Sequence, residues 1–433
     1  MTSPAEDLPA HRVSTDRQER VSRPIPPADD PFCVPPDGFS RAAPGDILRS
    51  RAIDVAFLGR IPQRVTAYQL LYRTIDANAN PQATVTTILL PAGSSETPRP
   101  IVSYQCAIDA ITSKAFPSYT FQRRAQILGG ATPFEYLLIA ETLRRGWAVV
   151  VTDHEGSRGS WGAAREPGYC ILDGLRAAVS FEQAGLSKSA PIALWGYSGG
   201  GLATGWAAEL WHSYAPELNV VGAVLGSPVA DLRAAFHRLN GSVFAGLAAL
   251  VIAALRNSYP DFDAIVRQHV TAQGETLLSS LRQMSTLRAV TRFCFQKVDH
   301  YVDEPLEQIL GLAPVEKMFE DTRLGQATPA MPLLVFQAIA DPIIGVQNID
   351  VLVRRYRDSG AHVTYLRDVL SEHLLLHPIS TPVALAWISD RFHDRALQPS
   401  KTQRGALVLA PRTWIGLLRL GYSTLKVLTR QVF

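Results

Sequence analysis

A serine flanked by glycines lies between an apolar segment and a helix-forming segment. The residues Gly196-Tyr197-Ser198-Gly199-Gly200 match the pattern G-x-S-x-G, with a strand-like run before them and a helix-forming run after them. In this pattern the glycines let the chain bend sharply from strand to helix, which exposes the serine hydroxyl. Ser198 is therefore predicted to be a nucleophile, and an ordinary glycine-rich turn is the simpler alternative.

A serine hydroxyl needs a base that accepts its proton and a carboxylate that orients the base. In folds with this turn the three follow in the order Ser, Asp or Glu, His, each after a strand. Among the histidines after Ser198, His373 and His377 lie in a loop that follows a predicted strand, 363–366. His377 precedes Pro378, which predicts a helix start and favours a capping or surface role. His373 is the predicted base, and His377 is the alternative.

The candidate acid is Asp341, which follows the predicted strand 333–337 and precedes Pro342. An Asp-Pro pair also opens ordinary turns, which is the structural alternative. The other carboxylates, which lie in the next predicted helix or in the histidine's own loop, are Asp350, Asp368 and Glu372. Loops at the carboxyl edge of a parallel sheet are the usual place for chemistry, so Asp341 is preferred.

An acyl-transfer site also needs two backbone amides that bind the developing oxyanion. The residue after the nucleophile, Gly199, should supply one of them. The loop that follows the predicted strand 100–104 should supply the other. Asp153 precedes the serine in the chain and is predicted to be structural. Cys106, beside the oxyanion loop, is predicted to be a packed thiol.

These residues fall on alternating strands and helices. The predicted strands are 65–72, 85–90, 100–104, 148–152, 192–195, 220–226, 333–337 and 363–366, and the predicted helices are 135–145, 170–184, 202–213 and 347–359. Several strands are continuously apolar, as parallel strands covered on both faces require. The alternation predicts an α/β doubly wound, mostly parallel sheet, and a strand-free interval of about a hundred residues predicts an inserted α-helical cap.

The predicted organisation has five parts. They are a flexible tail at 1–29, a first core part at 30–230, a helical cap at 231–330, a second core part at 331–395 and a basic tail at 396–433. The longest apolar run, 243–255, is shorter than the ~20 residues of a membrane-spanning helix. It predicts a buried helix, whose side chains either line an acyl tunnel with Phe293 and Phe295 or form the cap's own core.

Composition excludes several classes of protein. Hydrophobic residues are 47% and charged residues 19% of 433, which excludes a mostly disordered, collagen-like or coiled-coil chain. The net charge of +3 is too small to indicate a nucleic-acid partner. The four cysteines form no CxxC pair and have no histidine at zinc-ligand spacing. Neither a disulfide scaffold, nor a metal site, nor a cofactor is therefore expected.

The segment 395–433 contains no Asp or Glu. On a helix that begins after Pro411, four cations share one face: Arg412, Arg419, Lys426 and Arg430. The opposite side holds Trp414, Leu417, Leu418, Leu425 and Leu428. These two faces are typical of a helix in contact with an anionic membrane surface, here through 412–430. Packing against the protein's own body is the alternative.

Several motifs together resemble the secretory lipase family typified by Candida antarctica lipase A. They are Asp30-Pro31-Phe32, Pro44-Gly45-Asp46, Tyr104-Gln105 with Asp109, Thr152-Asp153-His154-Glu155-Gly156, the serine turn, and the Asp341 and His373 loops. The likeness covers roughly 30–395. It implies an α/β hydrolase with a helical cap that cleaves carboxylic esters, including triacylglycerols. It also implies a triad of Ser198, Asp341 and His373, with the amides of Asp109 and Gly199 as the oxyanion hole.

The predicted function is hydrolysis of lipid esters through an acyl-enzyme. The alternatives are a serine peptidase or acyltransferase on the same fold, or a non-catalytic α/β-hydrolase-like module. The first thirty residues contain no apolar run of signal-peptide length. We therefore expect a cytoplasmic protein or one peripheral on the inner membrane, and a secreted protein, as is usual in the resembled family, is the alternative.

Overall fold

The structure is a computed structural model that describes residues 23–93, 98–127 and 129–432. Ten of the strands in these residues form one sheet. The strands are β1 (Ile47–Ala52), β2 (Ala56–Phe57), β3 (Ile61–Pro62), β4 (Thr66–Ile75), β5 (Pro81–Leu90), β6 (Ile101–Gln105), β7 (Ala148–Thr152), β8 (Ile192–Tyr197), β9 (Val220–Gly226), β10 (Leu333–Ala338), β11 (Val363–Asp368) and β12 (Lys401–Gly405). Most of the tail predicted at 1–29 lies outside the described residues.

The order of strands in the sheet is β1-β4-β5-β7-β6-β8-β9-β10-β11-β12, and β2 and β3 form a separate hairpin. The neighbours from β7 to β12 are parallel, whereas β1, β4 and β5 are antiparallel to theirs. Every residue of β6, β7, β8 and β10 is buried, as expected for parallel strands covered on both faces. The predicted mostly parallel α/β sheet is confirmed.

The described chain contains fourteen α-helices, and some of them cover the two faces of the sheet. They are α1 (Pro117–Thr120), α2 (Thr132–Arg144), α3 (Glu166–Ser180), α4 (Gly199–Tyr214), α5 (Leu232–Leu239), α6 (Ala245–Leu255), α7 (Pro260–His269), α8 (Ala272–Leu281), α9 (Thr286–Arg292), α10 (Leu306–Leu310), α11 (Ala313–Asp321), α12 (Val346–Asp358), α13 (His373–Phe392) and α14 (Pro411–Leu428). Side chains of α3, α4 and α12 pack with strand residues in one large hydrophobic cluster. Side chains of α2, α13 and α14 pack with other strand residues in a second large cluster.

The interval between β9 and β10 contains seven helices, α5 to α11, in the described chain. The apolar run 243–255 forms α6, which is apolar on all sides and packs between the sheet's helices and α8 and α9. Among the described residues, no helix combines the length and apolar character that crossing a bilayer requires.

The C-terminal segment packs against the rest of the molecule. β12 pairs in parallel with β11 at the edge of the sheet, and α14 packs on α2 and α13. All five residues of β12 are exposed, so an apolar pattern could not reveal this strand in the sequence. The same strand brings the start of α14 to the edge of the sheet where the parallel strands end.

Candidate active site

Ser198 is the single residue between β8 and α4, and its backbone is held in an unusual conformation. Its φ of 56° and ψ of −120° lie in a region that non-glycine residues rarely occupy. The Ser198 N–H donates to the Gly226 carbonyl of β9 at 2.9 Å, which fixes the turn against the neighbouring strand. A side chain at Gly196 would overlap the Gly200 carbonyl, and one at Gly200 would overlap the Gln105 carbonyl. The flanking glycines are therefore required by close packing.

A continuous hydrogen-bonded chain joins Ser198 to two buried residues from the carboxyl edge of the sheet. His373 Nε2 lies 2.9 Å from Ser198 Oγ, and His373 Nδ1 lies 2.7 Å from Asp341 Oδ2. His373 is 2% exposed and Asp341 is 1% exposed. The structure thus brings together the three residues that the sequence analysis selected. This is the geometry in which a histidine accepts the serine proton while a carboxylate orients the ring.

The Asp341 carboxylate is itself held by several donors. Its Oδ1 accepts from the backbone N–H groups of Ile343 and Ile344, both at 2.8 Å, and Oδ2 accepts from Gln337 Nε2 at 3.0 Å. The turn after Pro342 supplies the two amides. These donors fix the orientation of the carboxylate, so Asp341 Oδ2 is positioned as an acceptor for His373 Nδ1–H. Sequence reasoning did not identify Gln337 as a partner.

His373 begins helix α13, so the expectation that it lies in mid-loop is wrong. Glu372 caps this helix, because its carboxylate accepts from the N–H groups of Leu374 and Leu375. Pro378 does not start the helix but lies inside it, as does Pro382. The proline was a misleading signal, whereas the acidic N-cap was present in the sequence. Helix α13 thereby fixes the position of the histidine backbone.

His377 lies one turn after His373, and its predicted capping or surface role is wrong. Its ring stacks on Tyr197 with centroids 4.3 Å apart, and its Nε2 lies 3.2 Å from the Tyr104 hydroxyl. Burial, with a smaller contribution from the nearby His373, lowers the pKa of His377 to about 3. His377 is therefore a neutral packing partner. Tyr197 also donates its hydroxyl to the His373 carbonyl at 2.6 Å, a support that sequence reasoning missed.

The predicted oxyanion donors are arranged differently from each other. Gly199 is the first residue of α4, where backbone N–H groups have no acceptor within the helix. The Asp109 N–H, in contrast, donates to Glu155 Oε1 at 3.1 Å. This amide, which the resemblance implies as an oxyanion donor, is thus engaged by a carboxyl group in this structure. What Asp109 presents toward Gly199 and the cavity beside Ser198 is its side chain.

The Asp109 carboxyl group is in an unusual environment. Its Oδ1 is buried and has no hydrogen-bond partner among the described residues. Burial raises the pKa of Asp109 to about 7, although the charge of His373 partly opposes the shift. A protonated carboxyl at this place is a hydrogen-bond donor. Asp109 can therefore supply the second donor through its side chain.

Buried acids surround the loop that carries Asp109. Burial raises the pKa of Glu135 to about 8 and that of Glu155 well above its usual range. Glu135 accepts from the Ala107 N–H, and Asp153 accepts from the Ser118 N–H, both at 3.0 Å. These groups hold the loop in place, and the structural assignment of Asp153 agrees with these contacts.

An apolar cavity of about 100 Å³ begins at Ser198 and extends among the helices between β9 and β10. Asp109 and Trp161 line it beside the serine, and α6 contributes Leu247, Ala248, Val251, Ile252 and Leu255. Other residues of α6, such as Leu250 and Ala254, belong to a buried core instead. Phe293 lines a different pocket and Phe295 is exposed, so neither lines the cavity at the serine. Different faces of α6 thus line the cavity at the serine and form part of a buried core.

No group of residues in the described chain has the arrangement of a metal site. The cysteines Cys33, Cys106, Cys170 and Cys294 are unpaired thiols. Burial raises the pKa of the Cys106 thiol well above its usual range, which opposes formation of a nucleophilic thiolate. Ser198 is thus the nucleophile candidate that the geometry favours.

Comparisons with known proteins bear on the family and the fold of this chain. A profile of the family described as Secretory lipase matches residues 121–399. A Mycobacterium tuberculosis protein named as a probable inactive lipase is 50% identical over 420 residues, which are 96% of this chain and 94% of that protein. Lipase A of Arthroderma benhamiae is 33% identical over 85% of this chain and 80% of its own length. The X-ray structure of Candida antarctica lipase A matches with a TM-score of 0.83 at 28% identity, covering 93% of this chain and 95% of that chain.

Proposed function

The chain belongs to the secretory lipase family, and from this premise we propose that it hydrolyses carboxylic esters of lipids through an acyl-enzyme on Ser198. The observation that carries the proposal is the hydrogen-bonded chain from Ser198 Oγ through His373 to Asp341. One relative is named as a probable inactive lipase, so membership of the family does not by itself establish turnover. The intact geometry favours an enzyme over a non-catalytic module.

In the proposed reaction, Ser198 Oγ attacks the ester carbonyl while His373 Nε2 accepts the hydroxyl proton. The Asp341 carboxylate stabilises the resulting imidazolium through Nδ1–H. His373 then gives the proton to the leaving alcohol, which produces the acyl-enzyme. A water molecule, deprotonated by His373, hydrolyses this intermediate and restores the serine.

The negative charge on the carbonyl oxygen needs two donors. We assign them to the Gly199 N–H and to the protonated Asp109 carboxyl, because the Asp109 N–H is already engaged by Glu155. Each donor of this kind is worth ~3–4 kcal/mol in the transition state. An ionised Asp109 would instead repel the oxyanion, so the proposed mechanism requires this acid in its neutral form.

The cavity supports an aliphatic acyl group as the part of the substrate that is recognised. Its lining beyond Ser198, Asp109 and Trp161 consists mostly of apolar side chains from the helices between β9 and β10. Burying a methylene group there contributes ~0.8 kcal/mol. We therefore propose that these helices act as the cap and that esters of longer acyl chains are preferred over acetates.

The test combines covalent labelling with a substrate series. The intact chain should react with a fluorophosphonate probe, and Ser198→Ala should not, while its melting temperature stays within a few degrees. The p-nitrophenyl esters should be hydrolysed with a kcat/KM that rises with acyl length, and a peptide amide should not be cleaved. A folded protein that is neither labelled nor active would show that this chain is a non-catalytic member of its family.

We further propose that the substrate is met at an anionic membrane surface, through 412–430. Fractionation of cells that express the full chain would distinguish a protein on the inner surface, as proposed, from an exported one. Recovery of all the protein outside the cell would overturn the inner-surface location.

A further inference from the structure

Helix α14 packs on the body through small residues together with Leu420 and Val427, and it leaves five other large apolar side chains mostly exposed. Thr413 and Ser423 are fully buried, and Gly416 lies so close to Pro382 of α13 that a side chain there would overlap it. Ser423 Oγ also donates to Glu141 of α2 at 2.6 Å. A surface helix normally turns its large apolar residues toward the core. Helix α14 turns Leu420 and Val427 inward in this way, but its outer face also carries large apolar residues, which indicates that this face contacts something else.

The outer face of α14 is an apolar stripe in which every member is more than half exposed: Trp414, Ile415, Leu418, Tyr422 and Leu425. Leu418 is 74% exposed. The spacing of these residues places them on one side of the helix along about three turns. Contiguous exposed apolar surface of this kind marks an interaction site. Trp and Tyr are the side chains that favour the boundary between water and lipid.

One flank of the stripe is basic. Arg412, Arg419 and Lys426 recur every seven residues and therefore lie along one edge of the outer face. Arg412 and Arg419 also line a groove between α14, α13 and the edge strand β12. Ile415 belongs both to the outer stripe and to this groove, so the two surfaces are continuous.

The groove, of about 770 Å³, is strongly cationic. Its basic side chains are Arg145, Arg391, Arg395, Lys401, Arg412 and Arg419, of which Arg145 is paired with Glu141 at 3.2 Å. The carboxylate that lines it in the described chain is Asp390, which is paired with Arg395 at 2.7 Å. Arg391 lies over the Trp387 ring, and its buried Nε has no hydrogen-bond partner among the described residues. The groove therefore has donors and positive charge for an anionic group.

Exposed apolar residues continue from α14 toward the candidate active site. Leu409 precedes α14, and Leu374 and Leu375 follow His373; each is more than half exposed. The Val369 N–H donates to the Gly405 carbonyl at 3.0 Å, which holds the two loops at the same edge of the sheet. The Gly405 end of β12, from which the chain leads into α14, is thus held at the edge of the sheet that also carries Ser198.

We propose that α14 lies in the surface of a bilayer that contains anionic phospholipids, with its outer stripe among the acyl chains. A lipid phosphate then binds in the cationic groove between α14, α13 and β12. The positive charge of the basic flank favours an anionic bilayer over a second copy of the chain as the partner of α14. A two-fold dimer through this face would bring the same basic flank of both copies together, whereas an anionic lipid surface neutralises it. This inference rests on the membrane contact proposed above and deepens it, and because binding is measured without turnover, its failure is distinguishable from a failure of ester hydrolysis.

The test uses point substitutions, because β12 and α14 are packed into the fold and their deletion would disturb it. Binding to vesicles of phosphatidylcholine with and without 30% phosphatidylglycerol is measured by co-sedimentation at low salt. The paired variant Arg412→Gln with Arg419→Gln should lose roughly 25-fold in binding to the anionic vesicles, about fivefold for each cation. Leu418→Ser should lose roughly tenfold. All variants should keep the melting temperature of the unaltered chain.

Matched controls separate this site from general charge and apolar effects. Arg292→Gln with Arg354→Gln removes the same charge elsewhere, and Val351→Ser removes an exposed apolar residue on α12; both should bind as the unaltered chain does. Equal losses in the control pair, or equal binding to neutral and anionic vesicles, would overturn the proposal. So would a concentration-dependent dimer in sedimentation velocity that Leu418→Ser dissociates without any change in vesicle binding.

Discussion

The change from Asp341 to Asn tests the proposed role of each atom in the candidate triad. Oδ1 of Asp341 accepts from two backbone N–H groups at 2.8 Å, so the amide oxygen of Asn must occupy this position. The amide nitrogen is then forced to the place of Oδ2, where it faces His373 Nδ1. An N–H donor there selects the imidazole form that has its proton on Nε2. That form cannot accept a proton from Ser198.

The expected loss in kcat is about 10⁴-fold, the order found when the carboxylate of a serine triad becomes an amide. This factor corresponds to about 5.4 kcal/mol in the activation barrier. Stability should change far less, because the two backbone donors keep an acceptor and mainly the contact with Gln337 Nε2 is lost. A loss of about 1–2 kcal/mol in the free energy of unfolding is expected.

The assay is the kcat of a short-chain p-nitrophenyl ester at saturating substrate, together with thermal unfolding of the same samples. Asp368→Asn is the control, since Asp368 also lies at a strand end but accepts from the N–H groups of Ser371 and Leu407. That variant should lower the melting temperature and leave kcat within a few-fold. A loss below tenfold in Asp341→Asn, or a larger loss in Asp368→Asn, would refute the assignment of the acid.

Three further predictions concern titrating groups near the site. Because burial raises the pKa of Asp109 to about 7, kcat/KM should fall as the pH rises above 7, and Asp109→Asn should remove this decline; an unchanged pH profile would exclude Asp109 as a donor. Glu155 has a raised pKa in the folded state, so its contribution to stability is present at acid pH and is lost as the pH rises above its unfolded pKa of ~4.3. Glu155→Gln should therefore flatten the fall in melting temperature between pH 5 and pH 8, and an equally steep fall would contradict this. His373→Ala should lower kcat by at least 10³-fold, whereas His377→Ala should mainly lower the melting temperature, and the reverse result would exchange their roles.

The central strands were predictable because their environment imposes a simple pattern. A strand such as β7, buried on both faces between helices, must be apolar at successive positions, and its predicted bounds are the observed ones. β1 and β12 lie at the edges of the sheet, where β12 is exposed throughout and β1 has no fully buried residue. Such strands need no apolar pattern, so the sequence analysis missed both of them.

The candidate site could be predicted as far as chain order and strand ends determine it. Ser198, Asp341 and His373 each follow a predicted strand, and parallel strands bring such residues to one edge. The partner of the Asp109 amide could not be found in this way. It depends on how the loop before α1 lies on the loop after β7, which places Glu155 against Asp109 although 46 residues separate them. No local pattern encodes that contact.

The orientation of α14 also depends on contacts between distant segments, which a local sequence pattern does not encode. The sequence shows a helix with a basic side and an apolar side, a pattern that indicates contact with an anionic membrane surface and has packing on the protein's own body as its alternative. Which side is buried depends instead on the surface that α2 and α13 offer: Glu141 accepts from Ser423, and Pro382 leaves room only for a glycine. These contacts, with Leu420 and Val427 packed inward, turn Leu418 and Trp414 outward. The exposed apolar stripe therefore follows from the side chains of the supporting helices, and its occupant must be sought outside the chain's own core.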